Sequence, residues 1–230
     1  MKTLAAVILV IMMTMLAGVA LAQTQTPAPI PTQTYDFHKL KVGTPPPGWT
    51  CTQTGKGEAK WTIVRDDYPP LFNNVLEQIG SGAIPGEPYP TPSVYPICIF
   101  DGATIKDGFV QAMFKVVSGK QDQGAGIIWR VKDANNYNIF RANALGNDVT
   151  IYQTVNGIRT TKVRRSLPVS SNVWHSLRVD FRGNSSTVSL DGSLINTWFD
   201  NTFMEPGKVG VWTKADSVSM FDQVTYGGTQ

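Results

Sequence analysis

The sequence predicts an all-β protein, a two-sheet antiparallel β-sandwich, and three observations carry that expectation. Short segments in which apolar and polar residues alternate recur from Phe109 onward, the pattern of strands with one face buried. Gly, Asn, Asp and Pro separate them, and these are the residues that close turns. Beyond residue 22 no segment sustains the 3.6-residue apolar period of a helix.

Taken in order, residues 1–22 read as a signal peptide. Lys2 supplies the positive charge, Leu4 to Leu21 the apolar run, and Ala20-Leu21-Ala22 the small-x-small cleavage pattern, so the mature chain is expected to begin at Gln23. An uncleaved amino-terminal anchor is the alternative, because the run approaches the length of a membrane span. Residues 23–34, QTQTPAPIPTQT, are too polar and Pro-rich to build a core and are expected to form an extended, mobile tether. The folded domain is expected over residues 35–228. Strands are expected at Phe109–Val117, Gly126–Val131, Tyr137–Ala142, Val149–Val155, Ile158–Val163, Trp174–Phe181, Ser186–Leu190 and Val209–Thr213. Asn156-Gly157 and Asp191-Gly192 sit where two-residue hairpin turns belong. The Pro- and Gly-rich stretch from Asp66 to Pro96 reads as a long excursion around one short strand, Asn74 to Ile79. Such an excursion is either surface decoration or the rim of a binding site.

Without the leader about 208 residues remain, enough for one large sandwich core. The formal charge is +3 and only Arg164 and Arg165 are adjacent basic residues, so there is no basic stripe of the kind that binds nucleic acid. No second long apolar run occurs, and no membrane span is expected after cleavage. Cys51 and Cys98 are the only cysteines. In an exported protein, secreted or periplasmic, they are expected to form a disulfide; two buried thiols are the alternative.

Four segments, GIIWRVKDANNYNIFRA, VWHSLRVDF, TVSLDGSLINTWFDNTF and PGKVGVWTKADSVSMFDQV, taken together in this order, resemble the secreted bacterial family named for 3-keto-disaccharide hydrolysis, formerly a domain of unknown function. That family lies in the concanavalin A-like lectin/glucanase superfamily, near the laminin-G-like modules. The resemblance implies a jelly roll whose concave sheet suits a saccharide. It also implies a bacterial envelope or secreted setting and, less directly, a glycan hydrolase. In this superfamily calcium often ties the chain ends together, which makes Asp36 and Asp222 candidate ligands, since hard oxygen donors are what calcium takes. No cofactor is otherwise required.

The residues themselves favour binding over catalysis. Glycoside hydrolysis needs two carboxyl groups around the scissile bond, which related glycosidases present from one strand as Glu-x-Asp-x-x-Glu. That pattern is missing: the glutamates are Glu58, Glu77, Glu87 and Glu205, and none pairs with another acid at that spacing. With only His38 and His175, and no nucleophile elbow, a Ser/His/Asp site is poorly supported. Sugars are held by flat aromatic faces and planar polar forks. Arg130, Asn136, Tyr137 and Arg141 supply both, with Tyr137 and Arg141 on one face about 13 Å apart at strand rise. The alternative is that Trp129 and Tyr137 pack in the core while the arginines cover an edge. Trp129, Trp174 and Trp212 are expected in the core, and Asp200 and Asp216 in structural turns. The expectation is thus a secreted saccharide-binding or surface-interaction module, with a glycan hydrolase as the alternative.

Overall fold

The computed structural model describes residues 27–67, 73–79 and 94–230. The expected signal peptide, the start of the tether and most of the excursion before Pro96 lie outside them. Fifteen strands follow one another among the described residues: β1 (Pro29–Tyr35), β2 (Trp49–Thr54), β3 (Trp61–Arg65), β4 (Asn74–Gln78), β5 (Tyr95–Ile105), β6 (Asp107–Ser118), β7 (Gly124–Asp133) and β8 (Asn136–Asn143). The series continues with β9 (Asp148–Val155), β10 (Ile158–Ser166), β11 (Trp174–Arg182), β12 (Ser185–Leu190), β13 (Ser193–Phe199), β14 (Gly207–Thr213) and β15 (Val218–Thr229). No helix among these residues is long and apolar enough to cross a membrane.

The strands form two antiparallel sheets. The eight-stranded one runs β13-β12-β11-β6-β15-β4-β3, with β1 added beside β15, and the seven-stranded one runs β10-β9-β8-β7-β14-β5-β2. Neighbours in space are often distant in sequence, as in β6 beside β15, which is the crossing pattern of a jelly roll. Alternation sends Val110, Ala112, Phe114 and Val116 of β6 and Leu177, Val179 and Phe181 of β11 inward. They meet Ile127 and Trp129 of β7, Phe140 of β8, Ile151 of β9 and Val211 of β14 from the other sheet. The turns are closed as their residues dictate. Asn156 and Gly157 have φ of +51° and +78°, and Asp191 and Gly192 of +49° and +75°, the mirror-image turn that matches strand twist.

Residues Pro29–Thr34, expected in the tether, instead pair with β15 as strand β1. An extended Pro/Thr segment costs little to straighten, and an edge position needs no amide from proline. The register slips between Ile30 and Gln33, around Pro31. Cys51 of β2 and Cys98 of β5 stand directly opposite one another and form a disulfide that ties the edge strand to its neighbour.

The seven-stranded sheet is strongly curled. Thr54 on edge strand β2 and Tyr137 on β8 lie across three intervening strands, which would hold them roughly 19 Å apart in a flat sheet. Their hydroxyls are nevertheless 2.5 Å apart. The face turned away from the main core is therefore concave, and it carries its own apolar cluster of Ile97, Ile99, Ile128, Val131, Tyr137, Ile139, Tyr152 and Trp212.

Candidate functional site

The concave face is built by the outward-pointing alternate residues of β5, β14, β7, β8, β9 and β10. Trp212 of β14 is its floor, wholly buried. Tyr95 of β5 stacks on it at 5.7 Å between centroids and 17° between planes, and Tyr152 of β9 at 6.5 Å and 26°. Arg159 of β10 closes the stack, its guanidinium carbon 4.0 Å from the Tyr152 centroid, 4.6 Å from Tyr95 and 5.8 Å from Trp212. Hydrophobic burial places the rings, and cation–π attraction places the arginine over them.

Beside this stack lies an ionic chain, buried except at Arg164. Arg141 of β8 donates from Nη2 to Asp148 Oδ1, while Thr150 Oγ1 donates to the same oxygen at 2.7 Å. Arg164 Nη2 donates to Asp148 Oδ2 at 2.8 Å. On its other side Arg141 Nη1 is 3.7 Å from Asp122 Oδ2, which accepts from Lys214 Nζ at 2.9 Å. Burial works to raise the Asp148 pKa, but the charge of Arg141 and the hydrogen bonds from Thr150, Arg164 and Arg141 outweigh it and hold the carboxyl below its usual value. Gly124 makes room for this chain, since a Cβ there would lie 2.8 Å from Asp122 Oδ1 and 3.2 Å from Arg141 Cδ. Asp216 fixes the loop carrying Asp122 by accepting from the amides of Lys120, Gln121 and Asp122.

Toward the other end of the same face a cleft of about 210 Å³ opens over Ile99 and Val131, edged by Thr50, Asp101, Lys132, Asp133 and Lys208. Lys208 Nζ and Thr50 Oγ1 both donate to Asp101, at 2.6 and 2.8 Å, and the bond from Lys208 holds its pKa down.

The four residues expected to bind sugar do not stand together as one exposed group. Tyr137 and Arg141 share the concave face, as alternation required, but Tyr137 is wholly buried and Arg141 is 3% exposed. Burial raises the Tyr137 pKa, and its hydroxyl meets Thr54. Asn136 ties two turns together, its amide donating to Asp133 and its carbonyl accepting from the Asn156 amide. Arg130 leaves the face altogether. A bulge, with Arg130 at φ +52°, turns its side chain into the mouth between the sheets. There it donates to the carbonyls of Phe203, Lys106 and Gly183, at 2.5, 3.1 and 2.7 Å, with its carbon 5.6 Å from the Phe181 ring.

Asp36 and Asp222 do come together, around His38. Its Nε2 is 2.9 Å from Asp222 Oδ2, and its Nδ1 is 3.8 Å from Asp36 Oδ1. Burial raises the Asp222 pKa against the pull of His38. Among the described residues no three His, Cys, Asp or Glu side chains group so as to hold a metal ion. Asp200 bonds Thr202, the Phe203 amide and Gln153, closing the loop before β14.

The residues that the sequence reading missed are Tyr95, Tyr152 and Arg159, together with Trp212, which is buried but in the second cluster. Tyr152 and Arg159 lie on strands expected from alternation, flanking the Asn156-Gly157 turn, and Tyr95 follows the Pro-rich excursion already marked as a candidate rim.

The outer face of the eight-stranded sheet carries a second polar cluster. In one cross-strand row stand Glu77, Met220, Lys115 and Trp174. Lys115 Nζ donates to both oxygens of Asp66, at 2.7 Å each, and Trp174 Nε1 donates to Asp66 Oδ2 at 2.9 Å. Burial pushes the Glu77 pKa up to about 7, assisted by Asp66 and opposed by Lys115. A pocket of about 400 Å³ adjoins the cluster, lined in part by Asp66, Lys115 and Asn172.

This architecture, an all-β pair of antiparallel sheets with one curled into a concave face, is the jelly roll of the galectin and concanavalin-like sandwiches. Among solved structures the chain is similar to a carbohydrate-binding module from Bacillus subtilis, at 17% identity and TM-score 0.58 over 77% of this chain and 93% of that one. It is similar also to a β-glucanase from Bacillus licheniformis, at 13% identity and TM-score 0.50 over 90% and 100%. A protein of unknown function from Shewanella oneidensis aligns at 12% identity and TM-score 0.55, over 90% of each chain. No family model matches the chain, and no curated protein does.

Proposed function

We propose that this protein is an exported carbohydrate-binding module whose site is the concave face of the seven-stranded sheet. One observation carries the reading: a stack of Tyr95, Trp212 and Tyr152 capped by Arg159 on that face. Aromatic rings meet the C–H faces of pyranose rings, and a planar donor fork meets vicinal oxygens. The cleft beside Asp101 and Lys208 supplies further polar groups within the same concavity. Support for sugar as the ligand class comes from two structures that share the fold, a carbohydrate-binding module and a β-glucanase. The disulfide supports an oxidising compartment, secreted or periplasmic, to which the apolar leader in residues 1–22 would direct the chain.

A second reading, glycan hydrolysis of the 3-keto-disaccharide type, is favoured by one specific observation. Glu77, with a pKa of about 7, stands near the Lys115-bridged Asp66. A carboxylic acid poised near neutrality beside a second carboxylate is the pair that glycoside cleavage requires. Glycan-array binding run beside sugar release from ordinary and 3-keto glucosides separates the two. Binding without turnover supports the module. Turnover that disappears in Glu77→Gln and Asp66→Asn replaces it with the hydrolase.

A further inference from the structure

We infer that the saccharide taken by the concave face is acidic, with a uronate carboxylate seated on Arg159. The inference rests on the carbohydrate-binding reading and names its ligand class.

Carboxylates are strong partners for arginine, and five of the eight arginines have one. Arg65, Arg130, Arg141, Arg164 and Arg178 all approach an aspartate within ion-pair distance. Among the described residues Arg159 has no carboxylate within that distance, and the groups its guanidinium lies against are the rings of Tyr95, Tyr152 and Trp212. Its Nη1 is buried and makes no hydrogen bond. A guanidinium has five donors in a fixed fork, and aromatic faces satisfy none of them as a carboxylate would. The rings hold the plane still, which reduces the entropy lost when an anion docks.

The surroundings carry the same sign. Around the stack, the described residues present four cations, Arg141, Arg159, Arg164 and Lys214, against two carboxylates, Asp122 and Asp148. Those two carboxylates are engaged by the other three cations, so Arg159 is the charge without an anion. Curling of the sheet places it over a low-dielectric aromatic floor, where an incoming carboxylate gains more than at an open surface. A sugar ring bearing one carboxylate fits the pair of features: its C–H face on Tyr95 and its carboxylate in the Arg159 fork.

Trimers of galacturonate, mannuronate and glucuronate, titrated beside neutral trimers of galactose, mannose and glucose, test this. Titration calorimetry at low and at 0.5 M salt reads the affinities. At least one uronate trimer is expected to bind tenfold or more tighter than its neutral counterpart, with that advantage shrinking at high salt. Arg159→Gln should weaken uronate binding by far more than neutral-sugar binding, so that the ratio between the two falls to about one, and Arg159→Lys should keep part of the advantage. Equal binding of acidic and neutral trimers, or an Arg159→Gln variant that keeps the preference, overturns the inference and leaves the carbohydrate-binding reading standing. Binding of none of the six overturns both.

Discussion

Removing the Asp148 carboxylate is expected to be among the most damaging single changes on the concave face. Asp148 is 2% exposed and receives hydrogen bonds from Arg141, Arg164 and Thr150. In Asp148→Ala the 3% exposed Arg141 keeps one carboxylate among the described residues, Asp122 at 3.7 Å, beside the Thr150 hydroxyl at 3.5 Å, and most of its charge is left uncompensated in a desolvated site. Breaking a buried pair by deleting one partner costs about 3–5 kcal/mol. For a domain of this size each kcal/mol lowers the melting temperature by roughly 2–4 °C, so a drop of about 10 °C is expected in a calorimetric scan at pH 7. Asp148→Asn keeps the shape and loses the charge, and should fall between the two. The pH dependence supplies a control. The Asp148 pKa is depressed in the folded state, so its contribution is present above the unfolded value near 3.9 and is lost as pH falls through the folded one. Wild type should therefore lose stability on acidification more steeply than Asp148→Asn. An Asp148→Ala variant melting within about 3 °C of wild type, or identical acid profiles for wild type and Asp148→Asn, would refute the reasoning.

Two further outcomes follow from the same physics. Opening the Cys51–Cys98 bridge frees a 47-residue separation, and a Cys51→Ser/Cys98→Ser variant should lose about 2–4 kcal/mol in urea unfolding; an unchanged midpoint would contradict this. The Glu77 pKa is raised to about 7, so its contribution is full below the unfolded value and is lost as pH climbs to about 7. Glu77→Gln, neutral at every pH, should melt above wild type at pH 8 by about 1–2 kcal/mol once partial solvation is allowed for, and this advantage should vanish at pH 4.

The strands β6, β11 and β12 were legible because one face is buried and the other is not, and alternation is the direct imprint of that burial; β7, β8, β9 and β14, buried on both faces, were marked by apolar content between turn residues. Strands β1, β13 and β15 were not. The first is a Pro/Thr edge, the second is mostly exposed along SLINTWF, and the third carries a bulge between Asp222 and Thr225 that breaks its period. The long β5 was obscured by Pro96 and Gly102. At the site, the shared face of Tyr137 and Arg141 could be read from spacing alone. What could not be read is that the sheet curls until Thr54 of β2 meets Tyr137, since that depends on pairings between strands far apart in sequence. This curl buries the expected binders and gathers Tyr95, Tyr152 and Arg159 around Trp212. Arg130 escaped for a local reason, a bulge that reverses alternation at one residue.

The most direct test of the central claim is chemical-shift mapping of the isotope-labelled domain during titration with the oligosaccharide bound best on an array. The account predicts that the largest shifts fall on Tyr95, Tyr152, Arg159 and the Trp212 indole, with smaller ones at Asp101 and Lys208. Shifts confined to the outer face of the eight-stranded sheet, around Lys115 and Trp174, or to the chain ends near His38, would contradict it.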